Sequence, residues 1–381
     1  MIETVKGARD FTGEEALKRE AIKEILIKNF KAYGFEPAET PIIEFEEFVK
    51  GENPSDEAVS TIFKLQDRAK RNLALRYELT FQLKRIAQNK KLPYKRYQIG
   101  EVFRDEPTSS NRFRQFTQCD ADIIGSTIKE DAEILALTSK IMRDLGIKAV
   151  IYANNRKLLN EILDKEGISK NKEQVIREID KLGKLSEDEV RANLKKYGAE
   201  KILPLLKKPE SYFKKYDSYK DIIELKKYCS YFKVKFVFQP SLARGLSYYN
   251  GTVFEVKTKD IKETITAGGS YPVNGIQSTG ISFGLDRIFQ LAKLPSVKKR
   301  ILIISIREDK KAIKLSEELR KENIPCIVQF GKISKALEFA NSYSLPYVIF
   351  LGEEEVKKKK FKLRDMKSGK EKLVTLKELT K

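Results

Sequence analysis

The chain reads as an α/β protein: a large α+β domain with an antiparallel sheet and flanking helices, a helical insertion inside it, and a small parallel α/β domain at the C-terminus. Three observations predict this. Residues 94–104 and 114–124 are two long strand-like runs joined by a polar loop, Asp105 to Phe113, which is the pattern of an antiparallel hairpin. From about Asn154 to Phe232 the texture turns to Glu, Lys, Leu and Ile at helical spacing, with few glycines. After Pro295, apolar runs alternate with amphipathic helices, as in a parallel sheet built from strand–helix–strand units.

The elements follow in order. Thr12-Gly13-Glu14-Glu15 has the form of a capping box before a long helix carrying Leu17, Ala21, Ile22, Ile25, Leu26 and Phe30 and ending at Tyr33-Gly34. Phe35 to Phe45 contains Pro37 and Pro41, which suits an edge strand or an extended interface segment. Leu73 to Tyr77 alternates as a strand, and a helix should then carry Leu79, Leu83 and Ile86. Beyond the hairpin and the insertion, strands are expected at Val234–Phe238 and Thr252–Val256. Ala267-Gly268-Gly269 then leads towards Ile281-Ser282-Phe283-Gly284 and a helix with Arg287. In the tail, strands at Ile301–Ile306, Ile327–Phe330 and Tyr347–Leu351 frame two helices, and the Lys357–Lys360 run and Gly369 read as turns of a terminal hairpin. The expected division is residues 1–153 and 233–296 for the large domain, 154–232 for the insertion and 297–381 for the tail domain.

Composition narrows the chemistry. With 75 Lys+Arg against 55 Asp+Glu the formal charge is +20, which points either to a polyanionic partner such as nucleic acid or to a heavily charged solvated surface. The three cysteines, Cys119, Cys229 and Cys326, are far apart and suggest neither a disulfide framework nor a zinc site. The amino terminus lacks the apolar core of a signal peptide, and no apolar run reaches the roughly 20 residues of a membrane span, so a soluble cytoplasmic protein is expected. There is no histidine, which excludes Ser-His-Asp and Cys-His triads and every histidine-ligated metal. Catalysis would rest on carboxylates, arginines, a bound metal ion or positioning, a set suited to phosphate chemistry.

Two segments carry candidate chemistry. In Phe103-Arg104-Asp105-Glu106 and Arg112-Phe113-Arg114-Gln115-Phe116, an arginine at a strand end can hold phosphate oxygens. A carboxylate two residues on can accept from an adenine amino group, and an aromatic on the return strand can stack on the base. A charged hairpin with surface salt bridges would look the same. In Gly280 to Arg287, small residues allow a close backbone approach beneath a ligand and Arg287 opens a helix; an arginine capping nearby acids is the alternative.

In this order the two segments resemble motifs 2 and 3 of class II aminoacyl-tRNA synthetases, and Tyr33-Gly34-Phe35 through Thr40-Pro41-Ile42-Ile43 resembles motif 1, the dimer-forming element. Leu242-Ala243-Arg244-Gly245-Leu246-Ser247-Tyr248-Tyr249-Asn250-Gly251-Thr252-Val253-Phe254-Glu255 is closely similar to the signature peptide of histidyl-tRNA synthetases. Lys6 to Phe11, Leu75 to Thr80 and Arg114 to Asp122 also resemble that family. The likeness runs nearly end to end, and the tail resembles a class IIa anticodon-binding domain.

The resemblance implies an ATP-dependent ligase that joins histidine to tRNA(His) through a histidyl-adenylate, works with Mg2+, and forms a homodimer. It implies that Glu78, Thr80 and Gln118 hold the substrate α-amino group, that Asp122 and Tyr249 hold the imidazole, and that Tyr248 and Tyr271 belong to the same histidine site. Arg104 would grip the α-phosphate, Arg112 and Arg287 the outer phosphates, and Glu106 and Phe116 the adenine. Arg244 would lie between the substrate carboxylate and the α-phosphate. The metal ligands are not indicated. Three departures stand out: Ser247 where the family usually has aspartate, Gly268-Gly269-Ser270-Tyr271-Pro272 in place of Gly-Gly-Arg-Tyr-Asp, and Phe81-Gln82 in place of a small or proline-containing pair. Two rival readings are a synthetase-like regulatory subunit without catalysis and another class IIa synthetase.

Overall fold

The computed structural model describes residues 2–51, 57–109, 112–245, 247–294, 300–358 and 360–379; Leu246, Lys359 and the boundary expected at residues 296–297 lie outside these. Two compact units result, one of residues 1–11 and 18–293, the other of residues 12–17 and 294–381. The mixed α/β class expected from the sequence is what the chain adopts.

The helix α1 (Gly13–Ala32) turns Ile22, Leu26 and Phe30 inwards. The segment after it does not form one strand. Its prolines split it into β1 (Glu36–Pro37) and β2 (Ile43–Phe45), which join different sheets. Two short helices, α2 (Glu46–Lys50) and α3 (Glu57–Ser60), precede β3 (Lys64–Gln66) and β4 (Asn72–Leu75), and β2-β4-β3 make a three-stranded sheet. The helix expected to carry Leu79 is a single turn, α4 (Leu83–Ile86). The Leu79 carbonyl lies outside that turn and accepts from the Arg96 Nη2, at 2.7 Å.

The hairpin forms in the expected register: β5 (Tyr94–Phe103) pairs antiparallel with β6 (Gln115–Ile124), Tyr94 opposite Ile124 and Phe103 opposite Gln115. The helix α5 (Ile128–Asp144) starts with a true capping box, in which Thr127 and Glu130 satisfy each other's backbone N–H groups. Then come β7 (Val150–Asn155) and six helices: α6 (Arg156–Lys165), α7 (Lys172–Asp180), α8 (Glu187–Lys195), α9 (Ile202–Leu206), α10 (Glu210–Phe213) and α11 (Tyr219–Tyr231). Leu158, Leu163, Val175, Ile179, Leu194 and Phe213 share one apolar core there. The strand expected at 234–238 shrinks to β8 (Val237–Phe238), followed by β9 (Thr252–Lys257), β10 (Thr266–Val273), β11 (Ile276–Gly284) and α12 (Leu285–Leu291).

The large sheet has the order β1-β5-β6-β11-β10-β9-β7-β8 and is antiparallel except at its two edges. Alternation sends odd residues of β6 to one face and even residues to the other. Beneath the sheet, Phe30 of α1 stacks on Tyr97 at 5.3 Å and packs against Phe283 at 6.1 Å. The opposite face is left for polar side chains.

The second unit contains β12 (Ile301–Ser305), α13 (Asp309–Lys321), β13 (Cys326–Phe330), α14 (Ile333–Ser342) and β14 (Tyr347–Leu351), with the parallel order β13-β12-β14. Next is α15 (Glu353–Lys358), so Lys357 and Lys358 close a helix where a turn was expected; each pairs with an acid four residues earlier, Glu353 and Glu354. The hairpin β15 (Phe361–Asp365) and β16 (Glu371–Val374) turns at Gly369, whose φ is +70°, and α16 (Leu376–Leu379) ends the described chain.

Candidate active site

One cavity of about 630 Å³ opens on the polar face of the large sheet, and every site residue singled out from the sequence lines it. Its floor is β6, where Phe116, Gln118, Asp120 and Asp122 point up, while Thr117, Cys119, Ala121 and Ile123 are buried below. The β5–β6 hairpin therefore supplies a row of functional groups spaced two residues apart on a rigid strand.

At one end the cavity is cationic. Arg104, just beyond β5, donates from Nε to the Tyr77 carbonyl at 3.0 Å, and its guanidinium lies 5.2 Å from the centre of the Phe116 ring. Glu106 pairs with Arg112 at 2.5 Å. Arg287, in the first turn of α12, donates to the Thr264 carbonyl at 2.7 Å. Burial holds the Arg287 pKa below the ordinary arginine value; Glu263 opposes this, and Arg104, Arg112 and Arg244 reinforce it. Four guanidiniums thus concentrate on one volume, and planar N–H forks in that number suit a polyphosphate.

Arg244 occupies the left-handed region, with φ +56°, a conformation that costs a non-glycine residue roughly 1 kcal/mol or more. Arg156 holds the turn by donating to the carbonyls of Ala243 and Arg244 at 3.1 and 3.2 Å. The Arg244 side chain reaches Glu255 at 2.9 Å. Spending backbone strain here aims a cation at the centre of the cavity.

The other end gathers Asp122 among three phenols. The rings of Tyr248, Tyr249 and Tyr271 lie 4.8 to 6.3 Å apart. Burial pushes the Tyr248 and Tyr271 hydroxyls well above the usual phenol pKa, which keeps them as proton donors. Tyr271 donates to Asp122 Oδ1 in a short contact, and Arg96 Nη2 meets Asp122 Oδ2 at 2.8 Å. Gly280 is required beside them, because a Cβ there would lie 2.0 Å from Asp122 Oδ1. At Gly269 a Cβ would fall 2.4 Å from the Thr252 carbonyl, so only glycine fits where β10 passes β9. Glu78 and Thr80, between β4 and α4, complete the wall.

Two of the departures noted in the sequence find partners within the protein. The Ser270 hydroxyl donates to the buried Asp131, 2.8 Å from each carboxylate oxygen, so a hydroxyl–carboxyl hydrogen bond fills that position. Phe81 stacks on Tyr77 at 5.8 Å and meets Phe48 edge-on. Ser247 lies in the turn between Gly245 and Tyr249.

Sequence reasoning did not single out Arg96, Asp120, Ser282 or the end of α7 that brings Arg177 to the cavity, with Lys181 and Lys184 just beyond the helix. The i, i+4, i+7 spacing of those three cations was visible, but which face of an insertion helix meets the site depends on tertiary packing. Among the described residues no group of three or more His, Cys, Asp or Glu side chains converges as a metal site.

Known proteins resemble this chain in sequence and fold. The family model for histidyl-tRNA synthetase matches residues 7–288, and that for the anticodon binding domain matches residues 299–381. Histidine–tRNA ligase 1 of Bacillus cereus is 33% identical over 99% of this chain and 96% of its own length. The crystal structure of a histidyl-tRNA synthetase from Nostoc sp. PCC 7120 superposes with a TM-score of 0.86 at 25% identity, covering 100% of this chain and 98% of that one. An ATP phosphoribosyltransferase regulatory subunit/histidyl-tRNA synthetase from Bacillus halodurans shares the fold at TM-score 0.76 and 18% identity, over 92% of this chain and 98% of that one. On the two family matches and the full-length relative, the chain belongs to the histidyl-tRNA synthetase family.

Proposed function

We infer that this chain uses ATP to attach histidine to tRNA(His). The observation that carries this is the polarity of one cavity, four arginines at one end and a carboxylate–phenol cluster at the other. Full-length likeness to a histidine–tRNA ligase supports the substrate. The histidine carboxylate attacks the ATP α-phosphorus, the bond to the β-phosphate oxygen breaks, and pyrophosphate leaves. The 3′-terminal hydroxyl of the tRNA then takes the histidyl group from the adenylate and AMP departs. No enzyme histidine is needed, because in-line transfer can run on positioning and charge stabilisation.

Within that reaction Arg104 holds the α-phosphate, Arg112 and Arg287 the outer phosphates, and Glu106 and Phe116 the adenine. Arg244 sits between substrate carboxylate and α-phosphate and stabilises the charge that builds there. Glu78, Thr80 and Gln118 receive the α-amino group; Asp122, Tyr248, Tyr249 and Tyr271 surround the imidazole. Mg2+ would come with the ATP phosphates and neutralise charge on them.

The division into residues 1–153 with 233–296, an insertion at 154–232 and an anticodon-binding domain at 297–381 belongs to the same proposal. In that last domain Lys332, Lys335 and Lys362 are candidates for tRNA contact. A homodimer is supported by the exposed apolar side chains of Ile42, Ile43, Phe45 and Leu65 around the three-stranded sheet. We place the protein in the cytoplasm; no described helix is long and apolar enough to cross a membrane.

Comparing ATP–pyrophosphate exchange with histidine, threonine, proline and glycine tests the reading. Exchange with histidine alone is expected. Exchange with another of the four would name a different synthetase, and none with any would favour a regulatory subunit.

A further inference from the structure

Both Asp122 oxygens face groups of the protein. One accepts from Tyr271; the other has no aligned hydrogen bond but lies 2.8 Å from Arg96 Nη2, and Arg96 is itself fully buried. The neighbouring acid has no such ion pair among the described residues. Asp120, two residues earlier on β6, points into the same cavity and is 2% exposed, yet its Oδ1 has no hydrogen-bond partner among the described residues.

The groups around Asp120 define what would satisfy it. Gln118 Nε2 donates to Ser282 Oγ at 2.9 Å, and Ser282 lies close enough to the Asp120 carboxyl to favour its ionised form. Gln118 Oε1 is also buried and without a partner among the described residues. Ser282 therefore stands between two cavity-lining side chains that each hold a buried acceptor without a partner among the described residues. A buried carboxylate with no cation in contact is costly, and so is an amide oxygen left unbonded. A ligand with several N–H donors and a positive charge meets both needs at once. An imidazole N–H offers one donor and is mostly neutral near pH 7, whereas an α-ammonium offers three donors and a full charge.

We propose that Asp120 is a specificity-determining residue that receives the α-ammonium group of the amino-acid substrate, alongside Gln118, while Asp122 is held back by Arg96 and Tyr271 to shape the ring end. This rests on the charging reaction inferred above and adds to it a second carboxylate contact. Burial pushes the Asp120 carboxyl up to about 7, with Asp122 adding to the rise and Arg96, Ser282 and Arg104 opposing it, as suits an acid awaiting a cation.

The test compares three ligands by calorimetry on the full chain: histidine, histidinol, which keeps the amine but lacks the carboxylate, and imidazolepropionate, which lacks the amine. Asp120→Asn, nearly isosteric, is expected to weaken histidine and histidinol by about tenfold or more, the size of a lost charged hydrogen bond. It should change imidazolepropionate by less than about twofold. Unchanged ATP binding certifies the fold, and Asp120→Ser repeats the comparison if the asparagine variant fails that check. Equal losses for all three ligands, or none, would overturn the assignment. Wild-type exchange with histidine, measured in parallel, separates the cases. If it is normal while Asp120→Asn binds histidine normally, only the Asp120 role fails. If it is absent, the charging reading fails and this inference with it.

Discussion

Removing the Asp120 charge should make the ligand-free protein more stable at neutral pH. In the folded chain this carboxyl titrates at about 7, chiefly because it is buried. In the unfolded chain it titrates near 3.9. Between about pH 4 and pH 7 unfolding therefore releases a proton, and stability falls as pH rises through that window. At 1.36 kcal/mol per unit, the full penalty is about 4 kcal/mol. Asparagine cannot titrate and escapes it. Urea unfolding followed by far-UV circular dichroism, the chain having no tryptophan, should find Asp120→Asn within about 1 kcal/mol of wild type near pH 4.5 and about 2–4 kcal/mol more stable near pH 7.5. Saturating histidine should narrow the gap at the higher pH, since a bound cation favours the ionised acid. A gap independent of pH, or a wild type more stable near pH 7.5, would refute the reasoning.

Other perturbations address other parts of the site. Arg244→Ala should nearly abolish histidine-dependent pyrophosphate exchange while the circular dichroism spectrum stays unchanged; activity above about a tenth of wild type would remove its proposed charge-stabilising role. Gly280→Ala forces a Cβ against Asp122, at a cost of about 1–3 kcal/mol, and should raise the histidine KM by about 5- to 100-fold with the ATP KM unaltered; a normal histidine KM would contradict the crowding. If the +20 charge serves tRNA, the logarithm of its binding constant should fall linearly with the logarithm of salt concentration, and a flat response in filter binding would count against that partner.

Much of the fold could be read from periodicity. The β5–β6 hairpin was legible to within one residue at each inner end because a polar loop joins two strand-like runs of similar length. The parallel tail was legible for a similar reason, as its strands are short apolar runs and its helices amphipathic. What sequence could not supply were partnerships between distant segments. Arg96 was not singled out, yet it is fully buried between Asp122 and the Leu79 carbonyl. Ser270 registered as a lost charge, whereas Asp131, on a helix beneath the sheet, accepts its hydroxyl. Within the site, residue types on β6 were readable, but which carboxylate is engaged by the protein and which stands open depended on β5, β10 and β11 arriving alongside.

The two ends of the large sheet have a bearing on assembly. β1 and β8 are only two residues long, and β1 ends in Pro37, which has no N–H to offer. Neither edge strand can itself template a long ladder with another polypeptide. The smaller sheet differs, as its outer strands β2 and β3 carry exposed Ile43, Phe45 and Leu65. If the chain pairs with a copy of itself as proposed, contact through that sheet would leave the strands that floor the cavity untouched.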